Sequence, residues 1–224
     1  MNPSQNFAWR ESFPILARSG PAGFDCGANP KALNNCKDIL IKMRSKEEQV
    51  IEPFFDSSKY WHFDELHKKA GISKPQLSFW LKRFVKSGII KRVKPRGKMP
   101  YYTHNFHNPA FRNQKRLFGL KKLNESGLLD HLTTLEGAKV VILFGSFSRC
   151  DWHNDCDIDI FIYGSDDELE QGKYELILNR EIQVHNARNK EDLKRMSKLL
   201  PYIIEGNFIK GSIQDLKVKV NAEI

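Results

Sequence analysis

The residues whose types and spacing can do chemistry are two carboxylates, Asp157 and Asp159, and a Gly-Ser pair, Gly145 and Ser146, ten residues before them. On a strand, positions two apart point to one face, so the carboxylates stand side by side while Ile158 packs behind them. Two such charges repel unless a cation sits between them. The hard cation that binds through one or two carboxylates and keeps positions open for phosphate oxygens is Mg²⁺. Gly145 and Ser146 close the apolar run Val140 to Phe144, which reads as a fully buried strand. A glycine there lets backbone approach a ligand closely, and the N–H groups that open a following helix suit phosphate. Ser146 adds a hydroxyl. Each signal alone is weak, but together, each at the end of an apolar strand, they point to nucleotide chemistry.

Gly145-Ser146, ten residues, then Asp157-Ile158-Asp159 resembles the signature of the polymerase-beta-like nucleotidyltransferases, especially the minimal nucleotidyltransferases of prokaryotes. Arg149 matches the arginine usual three residues after the serine, whereas Cys150 stands where glycine is common and Cys156 where serine is. The likeness covers about residues 135 to 211. It implies that Gly145, Ser146 and Arg149 hold the β and γ phosphates of ATP or another nucleoside triphosphate, and that Asp157 and Asp159 are the metal-binding catalytic pair. The family often has a third carboxylate on the next strand. Here alignment on Ile182 puts Gln183 at that position, with Glu181 on the same face one step away, and both readings stay open.

The elements that must position these residues follow from pattern. Residues 1 to 36 have no sustained period, no basic start and no apolar leader core, so no secretory signal is expected. Helical spacing runs from about Asn34 to Phe55, interrupted at Ser45, which with Glu48 forms a capping box. Phe63 to Ala70 reads as a short helix broken at Gly71. Ser73 caps a second helix that carries Pro75 in its first turn and Leu77, Leu81, Phe84 and Val85 on one face. Ile89 to Val93 and Tyr101 to Thr103 then read as strands around the basic turn Lys94 to Lys98. This order looks like a winged helix-turn-helix. The resemblance implies DNA binding, with Lys74, Gln76 and Ser78 near base edges and Lys82, Arg96 and Lys98 on phosphates.

Charge agrees with that division. Between Lys59 and Arg116 the chain has 15 Lys and Arg against two acids, while the remainder carries 21 basic and 25 acidic residues. A basic segment beside a slightly acidic one points to a nucleic-acid partner. Phe111 to Leu132 is leucine-rich enough for one or two packing helices. A helix is expected from Asp166 to Leu178, a strand from Glu181 to Ala187, and a closing helix from Lys190 to Gly206 kinked at Pro201. The four cysteines and the histidines 104, 107, 131, 153 and 185 lack ligand spacing. The histidines read as surface or cap residues.

The expected fold is α+β: an irregular segment (1–36), a winged helix-turn-helix domain (37–108), a helical connector (109–134), and a nucleotidyltransferase domain (135–224) with a small mixed sheet and flanking helices. No membrane span is expected, the cytoplasm is the expected compartment, and a homodimer suits a DNA-reading winged helix. The minimal family includes antitoxins that transfer AMP to a tyrosine of a HEPN-class ribonuclease toxin, which makes such a toxin the expected partner. A regulator with a nucleotide-sensing or inert nucleotidyltransferase domain is the alternative.

Overall fold

The computed structural model describes residues 45–216. The expectations for residues 1–36, the helical pattern before Ser45, and Cys26 and Cys36 lie outside the described residues.

Helix α1 (Lys46–Asp56) begins as its capping box requires. Ser45 Oγ accepts from the Glu48 N–H at 3.1 Å and the Glu48 carboxylate accepts from the Ser45 N–H at 3.0 Å. A short strand β1 (Trp61–His62) leads into α2 (Phe63–Ala70), which ends at Gly71 with φ 64°. There only glycine is free of strain. Helix α3 (Lys74–Lys86) starts after Ser73, but the serine side chain makes no capping bond. Pro75 at the second helical position removes one of the N–H groups such a side chain would meet. Strands β2 (Ile90–Val93) and β3 (Tyr101–His104) form a hairpin, and β1 pairs with β3, giving an antiparallel sheet in the order β1-β3-β2.

Helices α4 (Pro109–Glu125) and α5 (Leu128–Thr134) then lead to a second sheet. It comprises β4 (Ala138–Phe144), β5 (Ile158–Gly164), β6 (Ile182–Ala187) and β7 (Asn207–Lys210) in the order β6-β5-β4-β7. β5 and β6 run parallel and the other pairs antiparallel, so the sheet is mixed and the fold α+β. Helix α6 (Gly145–Arg149) follows β4 directly, and α7 (Gln171–Leu178) bridges β5 to β6.

The elements differ from expectation at several places: β1 was not foreseen, and the strands expected from Ile89 and Glu181 begin one residue later. The helix expected from Asp166 begins only at Gln171, because Ser165 and Arg188 hold Asp167 in a turn ahead of it. The single closing helix is two, α8 (Lys190–Arg195) and α9 (Leu200–Ile204), with Pro201 in the first turn of the second rather than at a kink. Strand β7 was not foreseen; a 3-10 helix (Ile213–Leu216) follows it.

Both faces of the second sheet are covered, which is why β4 and β5 read as unbroken apolar runs. Val141, Leu143, Ile158, Ile160 and Ile162 face the larger core, and Val140, Ile142, Phe144, Phe161 and Tyr163 the smaller. The larger core does not stop at the sheet. It runs through α4 to α1, where the ring of Phe55 lies 5.3 Å from both Phe111 and Phe118 and 6.5 Å from Trp152. Glu52 of α1 pairs with Lys122 of α4 at 2.6 Å, and Glu48 with Lys121.

Because Phe55 is 2% exposed and joins these parts, Phe55→Ala is expected to cost about 3–5 kcal/mol. Circular dichroism should show this as one lowered transition for the whole chain; two separate transitions would show that the halves unfold independently.

Candidate functional site

The site lies where β4 and β5 adjoin. In the register of the two strands Phe144 stands opposite Asp159, so the residue after Phe144 meets the aspartate side chain. That residue has to be glycine. Its φ is 68°, and a Cβ at Gly145 would fall 1.9 Å from Asp159 Oδ2. Ser146 follows in α6, and its Oγ is buried without a hydrogen-bond partner among the described residues.

Asp159 occupies the second position of β5, on the same face as Phe161, with Ile158 and Ile160 on the opposite, core face. Asp157 comes immediately before the strand. Burial pushes the Asp159 carboxyl above its ordinary value and the adjacent Asp157 adds to this, while His185, Arg149 and the Ser146 backbone N–H pull it down. Arg149, at the end of α6, is exposed and pairs with Asp151 at 3.3 Å.

The third strand settles which side chains face the pair. Gln183 of β6 is directly opposite Asp159, and His185, two positions on, brings Nε2 to 3.9 Å from Asp159 Oδ1. The imidazole is half-buried, edge-on to Phe144 at 5.2 Å, and its Nε2 has no hydrogen-bond partner among the described residues. His185 therefore lies at the site and is not the surface or cap residue expected; the every-second-position rule puts it on the face of Gln183, and only the parallel pairing of β6 with β5 brings that face to Asp159. Glu181 precedes β6, is exposed, and reaches β5 through its backbone oxygen, which accepts from the Ile158 N–H at 2.9 Å.

The loop that delivers Asp157 is held from outside the motif. The Arg180 guanidinium donates to the carbonyls of His153, Asn154 and Cys156, the last two at 3.0 Å, and lies 3.6 Å from Asp56 of α1. It also stacks over Phe147 and Trp152 at 5.4 and 5.3 Å, two rings that are parallel and 5.2 Å apart. Asp56 adds a backbone bond, its carbonyl accepting from the Asn154 N–H at 2.9 Å. Neither Arg180 nor Asp56 has a sequence signal.

The residues present suit a magnesium ion with a phosphorylated substrate. The site offers two carboxylates, a glycine cradle with no room for a side chain, and an unbonded buried hydroxyl. Among the described residues no three His, Cys, Asp or Glu side chains converge as a metal group. A cation here would draw its remaining ligands from substrate oxygens and water.

The expected DNA-contact residues lie on α3 and the hairpin. Lys74, Gln76, Lys82, Arg96 and Lys98 are exposed, and Ser78 is half-buried in a groove with Lys82, Lys86 and Arg92. Lys74 is 3.9 Å from Asp64. Phe79, also on α3, is 58% exposed and was not foreseen. No helix among the described residues is long and apolar enough to cross a membrane.

Residues 128–213 match the family model described as Polymerase beta, Nucleotidyltransferase, which supports a polymerase-beta-like nucleotidyltransferase domain over that segment. No curated protein and no solved structure matches the chain.

A carboxyl whose folded value is raised binds its proton more tightly in the folded state, so ionising Asp159 costs stability as pH climbs from 3.8 through the raised value. In metal-free buffer Asp159→Asn is therefore expected to match or exceed the wild-type unfolding midpoint at neutral pH, with the gap closing toward pH 3.8. Denaturant titrations at the two pH values test this; a variant less stable at neutral pH contradicts it.

Proposed function

We propose that the chain is a magnesium-dependent nucleotidyltransferase that moves a nucleoside monophosphate, AMP from ATP, to an acceptor hydroxyl on a partner protein. Support comes chiefly from Asp159, pressed against the backbone of Gly145 at the meeting of β4 and β5, inside the segment that matches the nucleotidyltransferase model. In this reading Gly145, Ser146 and Arg149 hold the β and γ phosphates. The Ser146 hydroxyl, without a hydrogen-bond partner among the described residues, can donate to one of them. Asp157 and Asp159 would hold Mg²⁺, which when bound offsets charge on the phosphoryl oxygens. Fixed by Arg180, the approach to Asp157 keeps the carboxylates in place so that little reorganisation is needed when substrate arrives.

The acceptor in this reading is the one that the likeness to the minimal nucleotidyltransferases implies, a hydroxyl on a HEPN-class toxin. The order α1, β1, α2, α3 and the β2–β3 hairpin supports a winged helix-turn-helix reading, and the exposed Lys82, Arg96 and Lys98 support a DNA partner at α3 and the hairpin tip. Paired half-sites and a homodimer go with it, and so does a cytoplasmic setting in a prokaryote.

One observation favours a second reading. The position opposite Asp159 on β6 is Gln183, an amide that cannot take a proton from an acceptor hydroxyl. If neither the exposed Glu181 nor His185 serves in its stead, the domain binds a nucleotide without transferring it, and the chain is a nucleotide-sensing or inert regulator.

Incubation of the chain with labelled ATP, Mg²⁺ and the product of the neighbouring gene distinguishes these readings. Transfer of label, reduced at least about 100-fold in Asp157→Asn and Asp159→Asn, is the expected result. Wild-type-like transfer by either variant sinks the assignment of the pair, and absence of transfer with every triphosphate favours the regulator. For the second partner, Lys82→Ala, Arg96→Ala and Lys98→Ala should each weaken binding to the chain's own promoter and lower the salt slope by about one. Unchanged slopes would remove α3 and the hairpin from the DNA surface.

A further inference from the structure

A cavity of about 180 Å³ lies between the end of α1, α4 and the loop that leads to Asp157. Phe54, Phe55, Phe106, Phe111 and Trp152 are its aromatic walls; Lys115 and His104 lie among its polar groups, with Ser57, Ser58, His153 and the carboxylate of Asp151, which pairs with Arg149 at 3.3 Å. It lies away from Gly145 and Asp159 and is used by neither reading above.

Lys115 is the anomaly. Its side chain is buried, at 6% exposure, with the ammonium 4.6 Å from the centre of the Trp152 ring. No carboxylate pairs with it among the described residues. The acids near it face other cations: Asp151 pairs with Arg149 at 3.3 Å, and Asp56 Oδ1 lies 3.6 Å from Arg180, beyond hydrogen-bond distance. Burial lowers the ammonium to about 8, even though Asp56 and Asp151 act to raise it. His104 stacks on Phe111 at 5.6 Å, and its Nδ1 is buried without a hydrogen-bond partner among the described residues. Burial first, then Lys115 and Lys91, hold this imidazole below its ordinary value.

A buried cation and an orphaned ring nitrogen at the side of an aromatic cavity are costly unless something satisfies them. One positive charge matches one negative charge. A phosphate dianion would need more donors than this wall supplies, and aromatic walls leave an apolar ring as the natural body of the ligand. In size the cavity resembles the dry apolar cavities of about 150 Å³ that accept benzene. We propose that this cavity is a binding site for a small aromatic carboxylate of benzoate size, its charge on Lys115, its second oxygen toward His104, and its ring among Phe54, Phe55 and Phe111.

A ligand held there touches two working parts at once. Asp151, Trp152 and His153 line the cavity and run directly toward Asp157, and His104 is the last residue of β3 in the hairpin. The site stands whether or not residues 145–159 transfer a nucleotide, since none of its groups belongs to the phosphate or metal positions.

Calorimetric titration of the full chain with sodium benzoate tests the inference, with benzyl alcohol as the uncharged ring and acetate as the charge without a ring. Benzoate is expected to bind at least tenfold more tightly than either, and Lys115→Met to weaken benzoate at least tenfold. Loss of a buried charge leaves that variant folded, with an unfolding midpoint at or above that of the wild type. The comparison among the three probes holds even without the variant. Equal binding of benzoate and benzyl alcohol, benzoate binding unchanged by Lys115→Met, or no benzoate heat at millimolar concentration each overturns the proposal.

Discussion

The contact between the Asp159 carboxylate and the bare backbone of Gly145 is the constraint around which the sheet is arranged. A side chain at position 145 would sit 1.9 Å from a carboxylate oxygen, so the strands can adjoin in this register only because one residue has none. The closeness keeps the acid partly out of water, raises its proton affinity, and leaves a charge that favours a cation. Burial of both sheet faces makes the register hard to slip, since a one-residue shift would drive Asp159 into the larger core and exchange the side chains of the two faces.

Arg180 does for the loop what Gly145 does for the strands. A guanidinium with five donors can bind several carbonyls and an acid together, and here three carbonyls of the 153–156 loop and Asp56 converge on it. Stacking on Phe147 and Trp152 shelters the cation, so the loop is held by a group that is itself fixed on two sides. The chain thus aligns Asp157 by means of residues far away in sequence, one of them in α1.

How much of this was legible in the sequence depended on the range of the interaction. Gly145, Ser146, Asp157 and Asp159 could be placed from spacing, because a strand's period of two and a glycine at a strand end are local facts. The capping box at Ser45 and the break at Gly71 were local too, and the structure agrees with them. Pro201 was misread as a kink because proline tolerates the first turn of a new helix as well as it disrupts an old one, and only packing decides which. His185 was misread because spacing alone does not say that β6 lies parallel beside β5; once that pairing is known, its position near Asp159 follows. Lys115 and Arg180 carried no pattern at all, since their burial depends on rings contributed from elsewhere in the chain.

The packing of Phe55 against Phe111, Phe118 and Trp152 bears on how such a chain changes over evolutionary time. Halves joined by a loose tether can be exchanged like cassettes, each bringing its own stable interior. Here the first helix and the loop before Asp157 complete the same interior, so a transplanted partner would arrive with mismatched rings. Divergence on one side of that seam must be answered on the other, and the two halves are bound to a shared line of descent.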